Sequence, residues 1–251
     1  YYKKYYNMNI LNIFFHIFLF NLFFFFVDTF ICDNIILVYH KSIIERKKDY
    51  NRLRWYLLHI LINIMVTLTT LKGVYLCFDN YTSLSYTEIA EPYTLDWFIG
   101  PTSPIPTLII ASGHLYHTLF FNMTKSDIYH HLIFAANMTI INMMGNYGIA
   151  RNLVGFVLSG LPGIIEYSIM SLYKFDYLIK KNMRYLVTIM HCLLRFPISM
   201  MIAYNYTYQV LYNPLVSNPI LVYIITLLLV INATQYCFEN IKSSIKHYHK
   251  N

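Results

Sequence analysis

The chain has 251 residues, of which 57% are apolar, 18% aromatic and only 12% charged, where soluble domains carry about one quarter charged residues. With a mean hydropathy of +0.44, this composition excludes an ordinary soluble enzyme and points to an all-α, polytopic membrane protein. The formal charge of +7 reads as loop topology rather than nucleic-acid binding, because basic residues of such proteins gather in loops on one side of the membrane. No RNA- or DNA-binding module is visible.

A spanning helix needs roughly 20 mostly apolar residues, and seven stretches approach that length: about 8 to 30, 55 to 77, 104 to 122, 128 to 145, 152 to 173, 184 to 205 and 219 to 238. The first lacks a small-residue cleavage site and exceeds a signal-peptide core, so it reads as a retained helix. Between the first two lies "KSIIERKKDYNRLR", with six basic and two acidic residues. After the fifth comes "KFDYLIKKNMR", with four basic and one acidic, and the tail "KSSIKHYHKN" adds three lysines. Seven spans place all three on one face, and by the positive-inside rule that face is cytosolic, leaving the N-terminus lumenal or external and the C-terminus cytosolic. The opposite face receives "FDNYTSLSYTEIAEPYTLDWFIGPTSP", with four acids and no Lys or Arg, and the uncharged "NYTYQVLYNPLVSNP". Asn80 and Asn205 head glycosylation sequons on that side, close to a membrane edge. The organisation is then residues 1–49 as N-terminal end, first helix and basic loop, 50–240 as one membrane domain, and 241–251 as a basic tail.

The four cysteines, Cys32, Cys77, Cys192 and Cys237, show no CxxC or zinc spacing, which argues against a disulfide framework. The abundance of Asn looks like a coding bias and is discounted as a sign of function. Ionisable residues inside spans carry more weight, because each costs a few kcal/mol to insert. His16, His59 and Lys72 are isolated and read as structural or edge groups. On the third span His114 and His117 lie three apart and share a helical face, with Tyr116 and Thr118 on other faces. On the fourth, adjacent His130 and His131 point about 100° apart, so at most one addresses a central cavity directly. Asp127, one turn before His131, can orient an imidazole or cap the helix. The fifth span holds "LSGLPGIIEY", in which Gly160, Pro162 and Gly163 predict a kink or a close helix approach. Glu166, one turn further, reads as the only acid well inside a span. On the sixth, His191 and Arg195 lie at i, i+4, and buried Arg195 needs an acceptor, for which Glu166 is the natural choice.

This order of features resembles the TLC domain, shared by ceramide synthases, translocating-chain-associated membrane proteins and small TLC-domain proteins. The resemblance covers about residues 50 to 240. It rests most on "DIYHHLIFA", with support from Asn152, Pro162 ten residues later, and "LLRFPI" around Arg195. It implies a TLC-type helical bundle, an endoplasmic-reticulum membrane, and His130 and His131 as catalytic residues. The implied reaction transfers a fatty acyl group from acyl-CoA to a sphingoid-base amine. His114, His117, Glu166, His191 and Arg195 then support the substrate, Arg195 and the basic loops attract the CoA phosphates, and acyl-CoA is a co-substrate rather than a resident cofactor. Imidazole suits such work, its pKa allowing it to take a proton from an amine near neutral pH. The chain departs from the ceramide synthases in lacking their His-Asp-x-x-Asp stretch. Leu158 stands at the acidic position of the smaller TLC proteins, and Glu166, two turns away, is the only substitute.

Two further readings stay open. One is a non-catalytic lipid-binding or membrane-composition factor, whose histidines only hydrogen-bond a headgroup. The other is a metal site built from His114, His117, His130, His131 and His191, but the chain has too few histidines for the clustered boxes of membrane hydroxylases, so no metal is expected. Membrane lipids are the expected partners, with acyl-CoA and a long-chain base as candidates, and the assembly is left open, a homodimer included.

Overall fold

A computed structural model describes residues 10–39, 47–79, 95–144, 149–212 and 219–248. All regular structure among them is helical. The first helix, α1 (Ile10–Val27), runs through a π-helical segment (Asp28–Cys32) into α2 (Asp33–Tyr39). Next come α3 (Lys47–Asp79), a short α4 (Leu95–Ile99) and α5 (Ile105–Phe120). Helix α6 (Lys125–His130) passes through a second π segment (His131–Ala136) into α7 (Asn137–Met144). Helices α8 (Ala150–Leu158) and α9 (Leu161–Lys174) follow. Helix α10 (Lys180–Met190) continues through a third π segment (His191–Arg195) into α11 (Phe196–Tyr212), and α12 (Pro219–Tyr248) ends the described chain.

Five of these helical stretches are long and apolar enough to cross a membrane: Ile10–Val38, Asp49–Leu76, Ala150–Lys174, Lys180–Tyr208 and Pro219–Lys246. They coincide with five of the seven expected spans. The expected third span is α5, whose 16 residues cover about 24 Å, short of a bilayer core of about 30 Å. The expected fourth span is α6–α7, where His130, His131, Asn137 and Asn142 dilute the apolar run. The loop around Asn80 and residues 41–46 of the first basic loop lie outside the described residues, while residues 47–54 of that loop form the first turns of α3. Asn205 is 0% exposed, so its sequon is closed to modification in the folded chain.

The surface has the polarity of a protein solvated by hydrocarbon. Along α1 the side chains of Phe14, Phe15, Phe18 and Leu22 all face outward, while His16 turns inward onto Trp97 with ring centroids 4.8 Å apart. A helix apolar all round is stable only where its surroundings are apolar as well. Helix α3 is the axis of the bundle, packing against α9, α8 and α5, while α12 closes the other side against α11 and α10. One core cluster joins α7, α8, α11 and α12 around Val157, Ile202, Tyr206 and Leu229. The second joins α1, α3 and α5 around Phe24, Leu58, Ile62 and Leu108.

The expected kink in the fifth span is a full break at Ser159–Gly160. Helix α8 stops at Leu158, the Gly160 amide donates to the Gly155 carbonyl at 3.0 Å, and Pro162 sits in the first turn of α9, where its missing N–H costs nothing. Gly163 then lets α9 lie directly on α3: a Cβ there would come within 2.4 Å of Asn63 Nδ2. In the sixth span Pro197 cannot donate to the preceding turn, and the π segment His191–Arg195 immediately before it widens the helix to take up that defect.

Candidate functional site

The seven residues singled out from the sequence converge in the bundle. A capping box starts α6: the Thr124 hydroxyl accepts from the Asp127 amide at 3.2 Å, and the Asp127 carboxylate accepts from the Thr124 amide at 2.8 Å and its hydroxyl at 2.7 Å. Asp127 therefore occupies the third helical position of the box and orients no imidazole. The helix then delivers His130 and His131 at the mouth of the second π segment, facing different neighbours.

His131 turns to α5. Its Nε2 lies 3.3 Å from His114 Nδ1 and 3.2 Å from His117 Nδ1, and its Nδ1 lies 3.1 Å from the Thr118 hydroxyl. Both ring nitrogens are thus committed to α5. His117 also stacks on Trp55, with centroids 3.7 Å apart, and Trp55 in turn packs against His59. His130 turns to α12, where its Nδ1 meets the Tyr236 hydroxyl at 3.1 Å. Its Nε2 has no protein partner among the described residues.

Beyond Tyr236 lies the ionic half of the site. The Tyr236 ring stacks on His191, nearly parallel at 14°. His191 Nε2 is 3.3 Å from Glu166 Oε1, and Arg195 donates to Glu166 Oε2 at 2.9 Å. The expected Glu166–Arg195 pair is present, drawing α9 to the third π segment. Arg195 also reaches the Leu158 carbonyl at 3.5 Å, which ties the end of α8 to the third π segment.

A cavity of about 140 Å³ connects the two halves. His114, His130, Glu166, Arg195 and Tyr236 line it, and it runs along α7 as far as Asn142. His131, His117 and His191 support the wall from behind. The sequence reading missed several of its polar lining residues, Tyr236 and Tyr167 among them. His59 stacks on Tyr167 at 4.3 Å and lines the cavity rather than an edge. Asn63, Asn142 and Asn232, discounted as composition, are each nearly buried lining residues with one amide atom lacking a partner. Asn152 also has an unpartnered Oδ1 among the described residues but does not line the cavity; its Nδ2 donates to the carbonyls of Gly100 at 3.1 Å and Pro101 at 2.8 Å, pinning the turn before α5.

A second polar cluster lies outside this site and corrects the expectation that Glu166 is the only acid well inside a span. Asp28, in the first π segment, is 0% exposed. It accepts from Arg54 Nε at 3.0 Å, Arg54 Nη2 at 2.6 Å and the Tyr116 hydroxyl at 2.9 Å. Asp33 completes the cluster, 3.0 Å from Arg54 Nε and 2.7 Å from the Tyr50 hydroxyl. Tyr116, off the histidine face of α5, thereby ties the first span to the core.

The site's chemistry turns on His130, because a neutral imidazole donates from one nitrogen and accepts at the other. If the Tyr236 hydroxyl donates to Nδ1, Nε2 carries the proton and donates to a ligand oxygen. With the reverse tautomer, Nε2 is a base. Among the described residues no group of three or more His, Cys, Asp or Glu side chains is arranged to hold a metal ion. Compared with known protein families, characterised proteins and solved structures, the chain matches none.

Proposed function

We propose that this multi-pass membrane protein binds and acts on lipids in the TLC manner, holding a lipid headgroup in the cavity beside His130 and the Glu166–Arg195 pair. The observation that carries the reading is a cavity inside an apolar bundle, lined by polar and apolar side chains together and bordered by an imidazole with an uncommitted nitrogen and by a buried guanidinium–carboxylate pair. Buried ionisable groups beside such a space are retained where they do work, since each is costly to insert. In this reading α5 and α6–α7 complete seven membrane segments around the cavity. Counting them as spans or not leaves every basic loop on the same face, because they are removed as a pair, so the cytosolic placement of those loops and of the C-terminus does not depend on them.

The chemical form of the proposal is acyl transfer from acyl-CoA to a long-chain amine in the endoplasmic-reticulum membrane. His130 Nε2 takes the amine proton as nitrogen attacks the thioester carbonyl, and the CoA thiol leaves with a proton. His131, held by His114, His117 and Thr118, positions the helix turn. The second reading is lipid binding without turnover. It is favoured by His130 having a tyrosine hydroxyl as partner rather than the carboxylate that usually orients a general base.

One experiment separates the two. Detergent-purified protein is incubated with labelled palmitoyl-CoA and sphinganine beside His130→Ala and His131→Ala variants, and amide product and co-purifying lipid are measured by mass spectrometry. Acyl transfer requires product that falls at least 100-fold in His130→Ala, in the range of a lost general base. Bound lipid without product, displaced in His130→Ala, establishes the binding reading. Neither product nor bound lipid from folded protein ends both.

A further inference from the structure

Cys192 and Cys237 are 45 residues apart in sequence, yet their sulfurs lie 3.5 Å apart as free thiols. The encounter follows from how α10 meets α12. One turn before Cys192, the Thr188 hydroxyl is 2.7 Å from the Ser244 hydroxyl and donates to the Asn240 carbonyl at 3.0 Å. The Ser244 hydroxyl in turn reaches the Arg184 carbonyl at 3.1 Å. On the cavity side of the thiols, His191 stacks on Tyr236. The three contacts form an antiparallel ladder, so the pair is fixed in register from both sides.

We propose that Cys192 and Cys237 are a redox-active pair that closes reversibly to a disulfide, locking the third π segment to α12 beside the cavity. The sulfurs must approach by about 1.5 Å to reach the bonded distance of about 2.05 Å, a shift within the freedom of two χ1 rotations. Both thiols are partly exposed on the outer surface of the bundle, next to outward-facing Leu193 and Phe238, which are 74% and 63% exposed. The oxidant therefore arrives from the surrounding apolar phase, and the class that fits is a hydroperoxide. One thiol gives up its proton and attacks the terminal peroxide oxygen. The O–O bond breaks, and the alcohol leaves with that proton. The resulting sulfenic acid is attacked by the second thiol, the S–S bond forms, and water leaves. The two sulfurs together lose two electrons, which reduce the peroxide.

The consequence for the cavity is mechanical. Cys192 follows His191 and Cys237 follows Tyr236, so the link fixes the stacked pair that joins His130 to Glu166 and keeps α12 from parting from the third π segment. This proposal stands on thiol geometry and does not depend on what the cavity binds.

The full chain, reduced and placed in lipid nanodiscs, is treated with cumene hydroperoxide in one arm and hydrogen peroxide in another, then mapped by peptide mass spectrometry. The expected product is a single Cys192–Cys237 linked peptide pair, an intact mass lower by about 2 Da, and full reversal by a phosphine reductant. Faster linking by cumene hydroperoxide than by hydrogen peroxide places the oxidant in the lipid phase, and the reverse order places it in water. A thermal midpoint raised by about 5 °C in the linked form supports the lock; an unchanged or lowered midpoint overturns it. The pair itself is overturned if both thiols stay open to maleimide, if either goes singly to sulfinic acid, or if the link forms to another cysteine. Because wild-type protein is mapped directly, no cysteine variant needs to fold for the result to count.

Discussion

The two buried arginine–carboxylate groups of this bundle have the same chemistry and opposite surroundings. Arg54 and Asp28 are saturated: Asp28 accepts three hydrogen bonds, Asp33 and Tyr50 complete the shell, Arg54 keeps 24% of its side chain exposed, and among the described residues no side-chain atom of this group is buried without a partner. Arg195 and Glu166 line the cavity. Among the described residues Arg195 Nε has no partner, and neither have Asn63 Nδ2, Asn142 Oδ1 and Asn232 Oδ1 across the cavity. A charge in an apolar interior is thus not in itself a sign of function. A fully satisfied group anchors helices, whereas an incompletely satisfied one beside open volume has capacity left for a ligand.

The largest expected effect tests the anchor. Asp28→Ala removes the fully buried carboxylate that takes two Arg54 N–H groups and the Tyr116 hydroxyl, leaving Arg54 only Asp33 at 3.0 Å, and should destabilise the protein by about 3 kcal/mol, read as a fall in the thermal midpoint of the detergent-purified chain. The paired change Asp28→Leu with Arg54→Met leaves only Asp33 charged, which is partly exposed and keeps the Tyr50 hydroxyl, and should recover most of that loss. Should the single change cost under about 1 kcal/mol, the cluster is no anchor and the contrast collapses. Glu166→Gln is the matching change at the other site, keeping shape and one acceptor oxygen. It should cost about 1–3 kcal/mol, less than Asp28→Ala, because the cavity lets water reach Arg195, and it should reduce bound lipid at least tenfold.

That contrast was only half legible in the sequence. Apolar run length revealed five of the helices, because spacing and composition alone decide whether a helix can cross hydrocarbon. The need of Arg195 for an acceptor predicted Glu166, since few acids lay within reach. Asp28 gives no such signal, because it sits near the end of an apolar run and nothing local reveals that Arg54, 26 residues on, turns back to meet it. The π segments were invisible for a related reason. All three among the described residues carry or adjoin a polar cluster, at Asp28, at His131 and at His191 with Arg195, and they shift the register that 3.6-residue spacing assumes. Asn63, Asn142 and Asn232 were lost in a chain rich in asparagine, where composition hides the few that face a cavity. Tyr236 was one of 25 tyrosines, and only packing distinguishes it.

A smaller effect concerns how the cavity wall is held. Asn63 faces both the space and the α8–α9 break, where its Oδ1 accepts from the Ser159 hydroxyl at 2.7 Å, and Gly163 leaves room for its amide. Gly163→Ala pushes a methyl group into Asn63 and should cost about 1–3 kcal/mol as an overpacking change. Asn63→Ala in the same background should return part of that loss in thermal unfolding. Strictly additive changes would mean that the two groups do not meet.

The smallest effect is the most informative about chemistry. Tyr236→Phe removes a single hydroxyl and keeps the ring that stacks on His191, so the cost in stability should be about 1 kcal/mol, that of one hydrogen bond. Its consequence for His130 is larger than that figure suggests, because the hydroxyl alone sets which ring nitrogen carries the proton. Without it both tautomers are open. If the proton on Nε2 is what a bound headgroup needs, lipid binding should weaken severalfold in Tyr236→Phe while the protein stays folded. If His130 acts as a base, transfer should slow with little change in binding, since Nε2 still faces the cavity but spends part of its time protonated. Asp28→Ala offers no such split: its shell is closed, and the only property it can change is whether the helices stay together.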